Sequence, residues 1–246
     1  DFFDQNNLWD DTTLILTTDH GFMLGEHDWW AKNRMPLYNE ISHIPLFVYH
    51  PDYKKNNGQR RSVVTQNIDL MPTFLDNHKI DIPKEVQGKS LLNFLEKEEK
   101  TNYSALFGYW GGGVNITDGN YTYFNYPDNM SRKDPYQYTL MPTHLRQFFT
   151  LDELKTAQME KPFNFTKGVP VMKIKNDDKG PSIGNDHGSD AMGFVDTDSA
   201  LFDIITDPGQ LNKINDKDII SKMNNLIFDK MNENDAPKEV ISRFFK

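Results

Sequence analysis

The sequence predicts an α/β protein: the tail of a doubly wound sheet, joined to a small antiparallel sheet and closed by a C-terminal helix. Three observations carry that expectation. Over the first 100 residues, short β-branched apolar runs are followed by stretches of helical spacing, the pattern of strands covered by helices. From about Tyr103 the texture becomes aromatic-rich and extended around Asp118-Gly119, a favoured hairpin turn. Near the end, "KDIISKMNNLIFDKM" sets Ile219, Ile220, Met223, Leu226, Ile227 and Met231 on one helical face.

The elements follow in order. "DFFDQNNLWDD" has helical spacing at Phe2, Phe3, Leu8 and Trp9, so the chain is expected to begin inside an α/β unit, as a fragment or processed product does. "TTLILTT" at 12–18 reads as a strand, too continuous for a half-exposed one, and so points to a sheet covered on both faces. "HIPLFVYH" at 43–50 is a second such strand, stopped by Pro51-Asp52. "TQNIDLMPTFLDNH" at 65–78 places Ile68, Met71, Phe74 and Leu75 on one helical face, with Pro72 either interrupting it or opening a new helix. "SLLNFLEKEEK" is another short amphipathic helix, residues 127–200 read as mostly long loops, and "ALFDIITDP" reads as a further strand. The expected division is 1–100 for the α/β part and 101–246 for a C-terminal subdomain.

Composition narrows the function. The 246 residues include 27 basic and 36 acidic side chains, a net charge of -9, which argues against nucleic-acid binding through phosphate contacts. No window approaches the roughly 18 apolar residues of a membrane span, and no signal-peptide pattern precedes Asp1. Cysteine is absent, which removes disulfides, thiolate metal sites and a cysteine nucleophile from these residues. A cytoplasmic setting is favoured over a secreted or periplasmic one. Glycosylation sequons at Asn102, Asn115, Asn120, Asn129 and Asn164 read as chance matches in an Asn-rich chain.

The chemistry gathers after the first strand, where functional side chains of open α/β sheets collect. Asp19 and His20 follow "LILTT" directly, and Gly21 lets the backbone turn so that both can face one cleft. A carboxylate with an imidazole suits a divalent cation of intermediate hardness, but two ligands need others from elsewhere. The plainer alternative is a turn in which Asp19 caps the next segment and His20 is a satisfied polar residue. Glu26, His27 and Lys32 weigh against it, because a polar cluster around a Gly-rich loop is costly for a mere turn. Lys32 can bring an ammonium to an anion held at the metal, or be an ordinary surface lysine. Trp29 and Trp30 read first as packing or loop anchors. His43, His50 and His78 read as satisfied boundary residues, and His144 and His187 fall in the long loops.

Together, "TTDHGFMLGEHDWWAKN", "HIPLFVYHP", "NIDLMPTFLD" and "VQGKSLL" resemble the C-terminal half of a sulfatase of the alkaline phosphatase superfamily, nearest the iduronate-sulfatase-like and phosphonate-monoester-hydrolase-like branches. The resemblance is ordered over residues 8–95 and returns in "VNITDGNYTY", "LFDIITDPGQ" and "DAPKEVISRFF". It implies an alkaline-phosphatase-like sheet. It also makes Asp19 and His20 the second pair of ligands to one divalent metal, Ca²⁺ foremost with Mg²⁺ and Mn²⁺ as alternatives. Lys32 then matches the lysine that binds sulfate or phosphate oxygens, His27 lies near the substrate, and Asp69 and Pro72 are structural. The nucleophile implied by the resemblance is a formylglycine from a C/S-x-P/A-x-R motif. No such motif occurs here, so it is expected in a missing N-terminal half, which becomes a partner of these residues. "GYWGGGVN" carries glycines where relatives often show a histidine. The implied activity is hydrolysis of a small anionic ester, a sulfated carbohydrate among the candidates, with no nucleic-acid or membrane partner. The rivals are a phosphodiesterase, phosphonate hydrolase or phosphoglycerol transferase of the same superfamily, and a non-catalytic module.

Overall fold

The structure, a computed structural model, describes residues 1–32, 36–99, 101–109, 112–128, 136–144, 148–175 and 198–245. His187 and Asn129 lie outside the described residues. The first 100 residues hold α1 (Phe2–Gln5), β1 (Leu14–Thr17), β2 (Met23–Leu24), β3 (Trp30–Ala31), α2 (Asn39–Ser42), β4 (Leu46–Tyr49), α3 (Leu70–Asn77) and α4 (Leu92–Glu96). Then come β5 (Ala105–Gly108), β6 (Val114–Thr117), β7 (Tyr121–Asn125), β8 (Tyr136–Thr139), α5 (Leu151–Leu154), β9 (Gln158–Glu160), β10 (Val171–Lys175) and β11 (Ala200–Asp203). Two helices, α6 (Lys217–Glu233) and α7 (Lys238–Phe244), end the chain.

Both apolar runs form strands, β1 and β4, and they pair with each other antiparallel, Leu14 opposite Tyr49 and Leu16 opposite Phe47. The expectation of cover on both faces does not hold for the described residues. Leu14, Leu16 and Phe47 are 40, 63 and 65% exposed, on one open face of a two-stranded sheet. A continuous apolar run reports which side chains can be buried; on that face Trp9 packs on Tyr49, with ring centroids 4.7 Å apart, while Leu14, Leu16 and Phe47 stay open.

The main core lies in the aromatic-rich region. β11, β7, β6 and β5 form an antiparallel sheet in that order, with buried apolar side chains on both faces. Neighbouring residues point to opposite sides. Ile116, Tyr123 and Leu201 pack against Met223, Ile227 and Met231, spaced four residues apart along α6. Burying each of these α6 side chains contributes roughly 1.5–3 kcal/mol. On the other face Phe124, Ala200 and Phe202 pack against Met23, Leu37, Tyr38 and Ile41, so the segment between β1 and β4 is anchored on this sheet. Asp216 caps α6 by accepting from the N–H groups of Asp218 and Ile219, both at 3.0 Å.

Two expectations need correction. In the 65–78 segment a 3-10 turn at Asn67–Asp69 precedes α3, and the buried residues are Asp69, Pro72 and Thr73, while Ile68, Met71 and Phe74 are about half exposed. Pro72 sits in the first turn, where a missing N–H leaves no helical bond unmade. Asp69 is structural: its carboxylate accepts from the N–H of Gln66 (2.8 Å) and of Lys89 (2.9 Å), tying two loops together. The second correction concerns 127–200, read as loops. Its described part contains a three-stranded antiparallel sheet, order β8-β10-β9, pinned to α7 by Lys173 Nζ 2.6 Å from Glu239. Its strands mix Tyr, Gln, Lys and Met with little alternation, so periodicity gave no signal.

Candidate metal and anion site

Described residues between β1 and β4 build the site. At the end of β1 the Thr18 hydroxyl donates to the His20 carbonyl (3.1 Å), and the His20 N–H donates to Asp19 Oδ1 (3.0 Å). Asn67 Nδ2 holds the Thr18 carbonyl at 3.2 Å. Gly21 then passes so close to α2 that an added Cβ would lie 1.8 Å from the Glu40 carbonyl oxygen, and its N–H donates to Ile41 O at 2.9 Å. Only glycine permits this approach.

His20 and Lys32 meet across this turn. The His20 Nδ1 lies 2.9 Å from the Gly21 carbonyl, which can only accept, so Nδ1 carries the proton. Nε2 is then a bare lone pair, and the Lys32 ammonium donates to it at 2.7 Å. Asp19 Oδ2 is 3.4 Å from the same nitrogen. Desolvation pushes the Asp19 carboxyl upward, but the N–H groups of Asp19 and His20 and the Thr18 hydroxyl pull it down by more. It therefore ionises below the usual carboxylate range. A carboxylate, an unprotonated imidazole nitrogen and a cation thus converge.

Lys32 follows a strained hairpin. β2 and β3 pair Met23 with Ala31 and Leu24 with Trp30. His27, Asp28 and Ala31 have φ of 52, 56 and 104°. Such non-glycine conformations cost on the order of 1–3 kcal/mol each and persist where surrounding contacts impose them. The contacts are visible. Trp29 packs on the apolar cluster beneath, while Trp30 is 66% exposed. The Tyr109 hydroxyl donates to the Lys32 carbonyl at 2.7 Å. The His27 ring stacks on Tyr38, centroids 3.5 Å apart and 3° from parallel, and its Nε2 is 3.8 Å from Glu40 Oε2.

The structure therefore brings Asp19, His20 and Lys32 together, and gives His27 contacts with Tyr38 and Glu40. Tyr109 and Glu40 touch this region without any sequence signal, since Tyr109 is one aromatic among many and Glu40 lies in an unpatterned connection. His50 is satisfied, with Nε2 on Asn77 Oδ1 (2.6 Å) and Nδ1 accepting from the Asp52 N–H (3.1 Å). His144 pairs with the buried Glu153 at 2.9 Å. His43 and His78 close α2 and α3. Asn115 is fully buried, which excludes it as a glycan acceptor in the folded chain.

The donor chemistry fits a divalent ion in part. Two adjacent ligands at right angles, with bonds of roughly 2.1–2.4 Å, stand about 3.0–3.4 Å apart, and Asp19 Oδ2 and His20 Nε2 meet that separation. The Nδ1–H held by a backbone carbonyl is the arrangement that orients a ligating histidine. Among the described residues no group of three or more His, Cys, Asp or Glu could hold a metal, so this turn offers two donors.

Known proteins share the fold that carries this turn. A solved structure of a protein in complex with its substrate D-glucosamine-2-N,6-O-disulfate superimposes with a TM-score of 0.60 at 18% identity, covering 96% of this chain and 37% of that one. An N-acetylglucosamine-6-O-sulfatase of Bacteroides thetaiotaomicron is 34% identical over 152 residues, 61% of this chain and 25% of the relative. The multifunctional alkaline phosphatase superfamily protein PehA of Trinickia caryophylli is 34% identical over 103 residues, 42% of this chain and 20% of the relative. The chain thus spans a quarter or less of the curated relatives named here. Its fold is that of the C-terminal part of sulfatases with the alkaline-phosphatase-like architecture. Residues 25–155 match the family described as N-sulphoglucosamine sulphohydrolase, C-terminal, and the chain belongs to that family.

Proposed function

We propose that this chain supplies one half of the active site of a metal-dependent sulfatase, and that the complete protein hydrolyses sulfate esters of carbohydrates. The observation that carries the reading is the meeting of Lys32 Nζ with His20 Nε2 at 2.7 Å, beside the Asp19 carboxylate. A cation there is poised to move from a neutral nitrogen to a sulfate oxygen. Residues 1–100 serve as the part of the catalytic domain that carries these groups, and 101–246 as the subdomain that backs it.

Asp19 and His20 are the residues that would hold the metal: the Asp19 carboxylate titrates below its ordinary range, and the His20 Nε2 faces away from the carbonyl that holds Nδ1. A bound Ca²⁺, with Mg²⁺ and Mn²⁺ as alternatives, supplies charge that polarises a sulfate oxygen. The remaining ligands and a formylglycine nucleophile belong to sequence outside these residues. Lys32 offsets negative charge on the equatorial oxygens as it develops. The sugar part of the substrate follows from the relatives, an N-acetylglucosamine sulfatase and a structure holding a glucosamine disulfate.

A second reading keeps the same groups and exchanges sulfate for a phosphate diester, since one metal and one lysine serve phosphoryl transfer equally. The match to the multifunctional PehA favours testing it. Rates of the complete protein on an aryl sulfate and an aryl phosphodiester, measured side by side, separate the two. A faster sulfate supports the sulfatase, and a faster phosphodiester replaces it.

A further inference from the structure

Lys32 is held at both ends. Its ammonium is on His20, and its backbone carbonyl accepts from a tyrosine 77 residues away, at 2.7 Å. That tyrosine, Tyr109, directly follows β5 at the edge of the four-stranded sheet, and its ring is half buried against the cluster of Met23, Tyr38 and Phe124. Between the hairpin and Lys32 stands Ala31 at φ 104°, a conformation a non-glycine residue does not hold unaided. The neighbouring β2–β3 pairing is only two residues long on each strand. A ladder so short fixes direction poorly, and among the described residues the hydroxyl bond is a contact that holds the Lys32 backbone where it leaves the hairpin.

Resting on the sulfatase reading above, we propose that Tyr109 is a positioning residue: its hydroxyl, presented by the small sheet, aims the Lys32 ammonium at the anion. Burial pushes the Tyr109 hydroxyl above its ordinary range, so it remains a donor through neutral and mildly alkaline pH. The bond links the two parts of the chain, so changes in the sheet edge beside Gly108 and Gly112 reach Lys32 through this oxygen as well as through the apolar contacts beneath the hairpin. It also gives the C-terminal subdomain a part in catalysis besides packing.

Tyr109→Phe removes the hydroxyl and keeps the ring. In the complete protein, kcat/KM on an aryl sulfate falls about tenfold, competitive inhibition by inorganic sulfate weakens by a similar factor, and the melting temperature stays put. In a Lys32→Ala background the same substitution changes neither quantity more than about twofold, because the group it aims is gone. Equal losses in both backgrounds, or no loss in either, overturn the proposal and leave Tyr109 a packing residue. If Lys32→Ala alone keeps the full rate, the sulfatase reading of Lys32 fails first, and the two failures are distinguishable.

Discussion

At the scale of single residues, the candidate site depends on a glycine as much as on its polar groups. Gly21 lets the Asp19-His20 turn press against the carbonyl of Glu40, where a methyl group would stand 1.8 Å from the oxygen. Gly21→Ala is therefore expected to cost about 3 kcal/mol, the upper end for an overpacked site, because the obstacle is backbone and cannot rotate away. Denaturant unfolding of the variant checks this, and a loss below about 1 kcal/mol would show that α2 can retreat. Asp19, His20 and Lys32 could be singled out from residue type and spacing because each carries a charge or lone pair that a plain turn does not need, while their metal and anion roles came from the family resemblance. Tyr109 and Glu40 were not. Their role exists only once segments far apart in sequence are folded together, and neither residue type nor local pattern records that.

At the scale of elements, the hairpin between β6 and β7 shows how a local signal becomes a tertiary joint. Asp118 Oδ1 accepts from the N–H groups of Asn120 (3.0 Å) and Tyr121 (2.9 Å), and Oδ2 accepts from Lys222 of α6 at 2.6 Å. Desolvation raises its pKa, and the Lys222 bond and the two N–H groups lower it by more, so it titrates below its ordinary 3.8. A depressed carboxylate adds stability above its unfolded pKa and loses it as pH falls through the folded value. Asp118→Asn should thus destabilise by about 1–2 kcal/mol at pH 7, with the gap to the parent closing below about pH 4. Melting curves of both proteins across pH 2–7 test the sign; a gap that widens in acid would contradict it. The Asp-Gly turn and the α6 stripe could be read from sequence because their chemistry is local and periodic. The β8-β10-β9 sheet could not, since its polar strands are stabilised by pairing and by Lys173 with Glu239 on α7.

At the scale of the whole molecule, the four-stranded sheet is the organiser. One face takes α6, the other takes Met23, Leu37, Tyr38 and Ile41, and through them it holds the turn and hairpin that carry the site. The strand pair β1–β4 is different, with Leu14, Leu16 and Phe47 open on one face. We propose that further sequence of the complete protein covers that face and brings the remaining metal ligands and the nucleophile to Asp19 and His20. That reading agrees with a chain spanning 37% of a solved protein of the same fold. The fold class was legible because apolar runs, turn dipeptides and helix stripes all pointed one way. The antiparallel β1–β4 pairing was not, because an apolar run does not state the direction of its neighbour. The most direct measurement is sulfate release by the complete protein and by its Lys32→Ala variant, with melting temperatures alongside. The account predicts that kcat/KM drops by at least about a hundredfold, the scale of one lost electrostatic contact in a transition state, while the melting temperature barely moves. A variant that retains the full rate would contradict it.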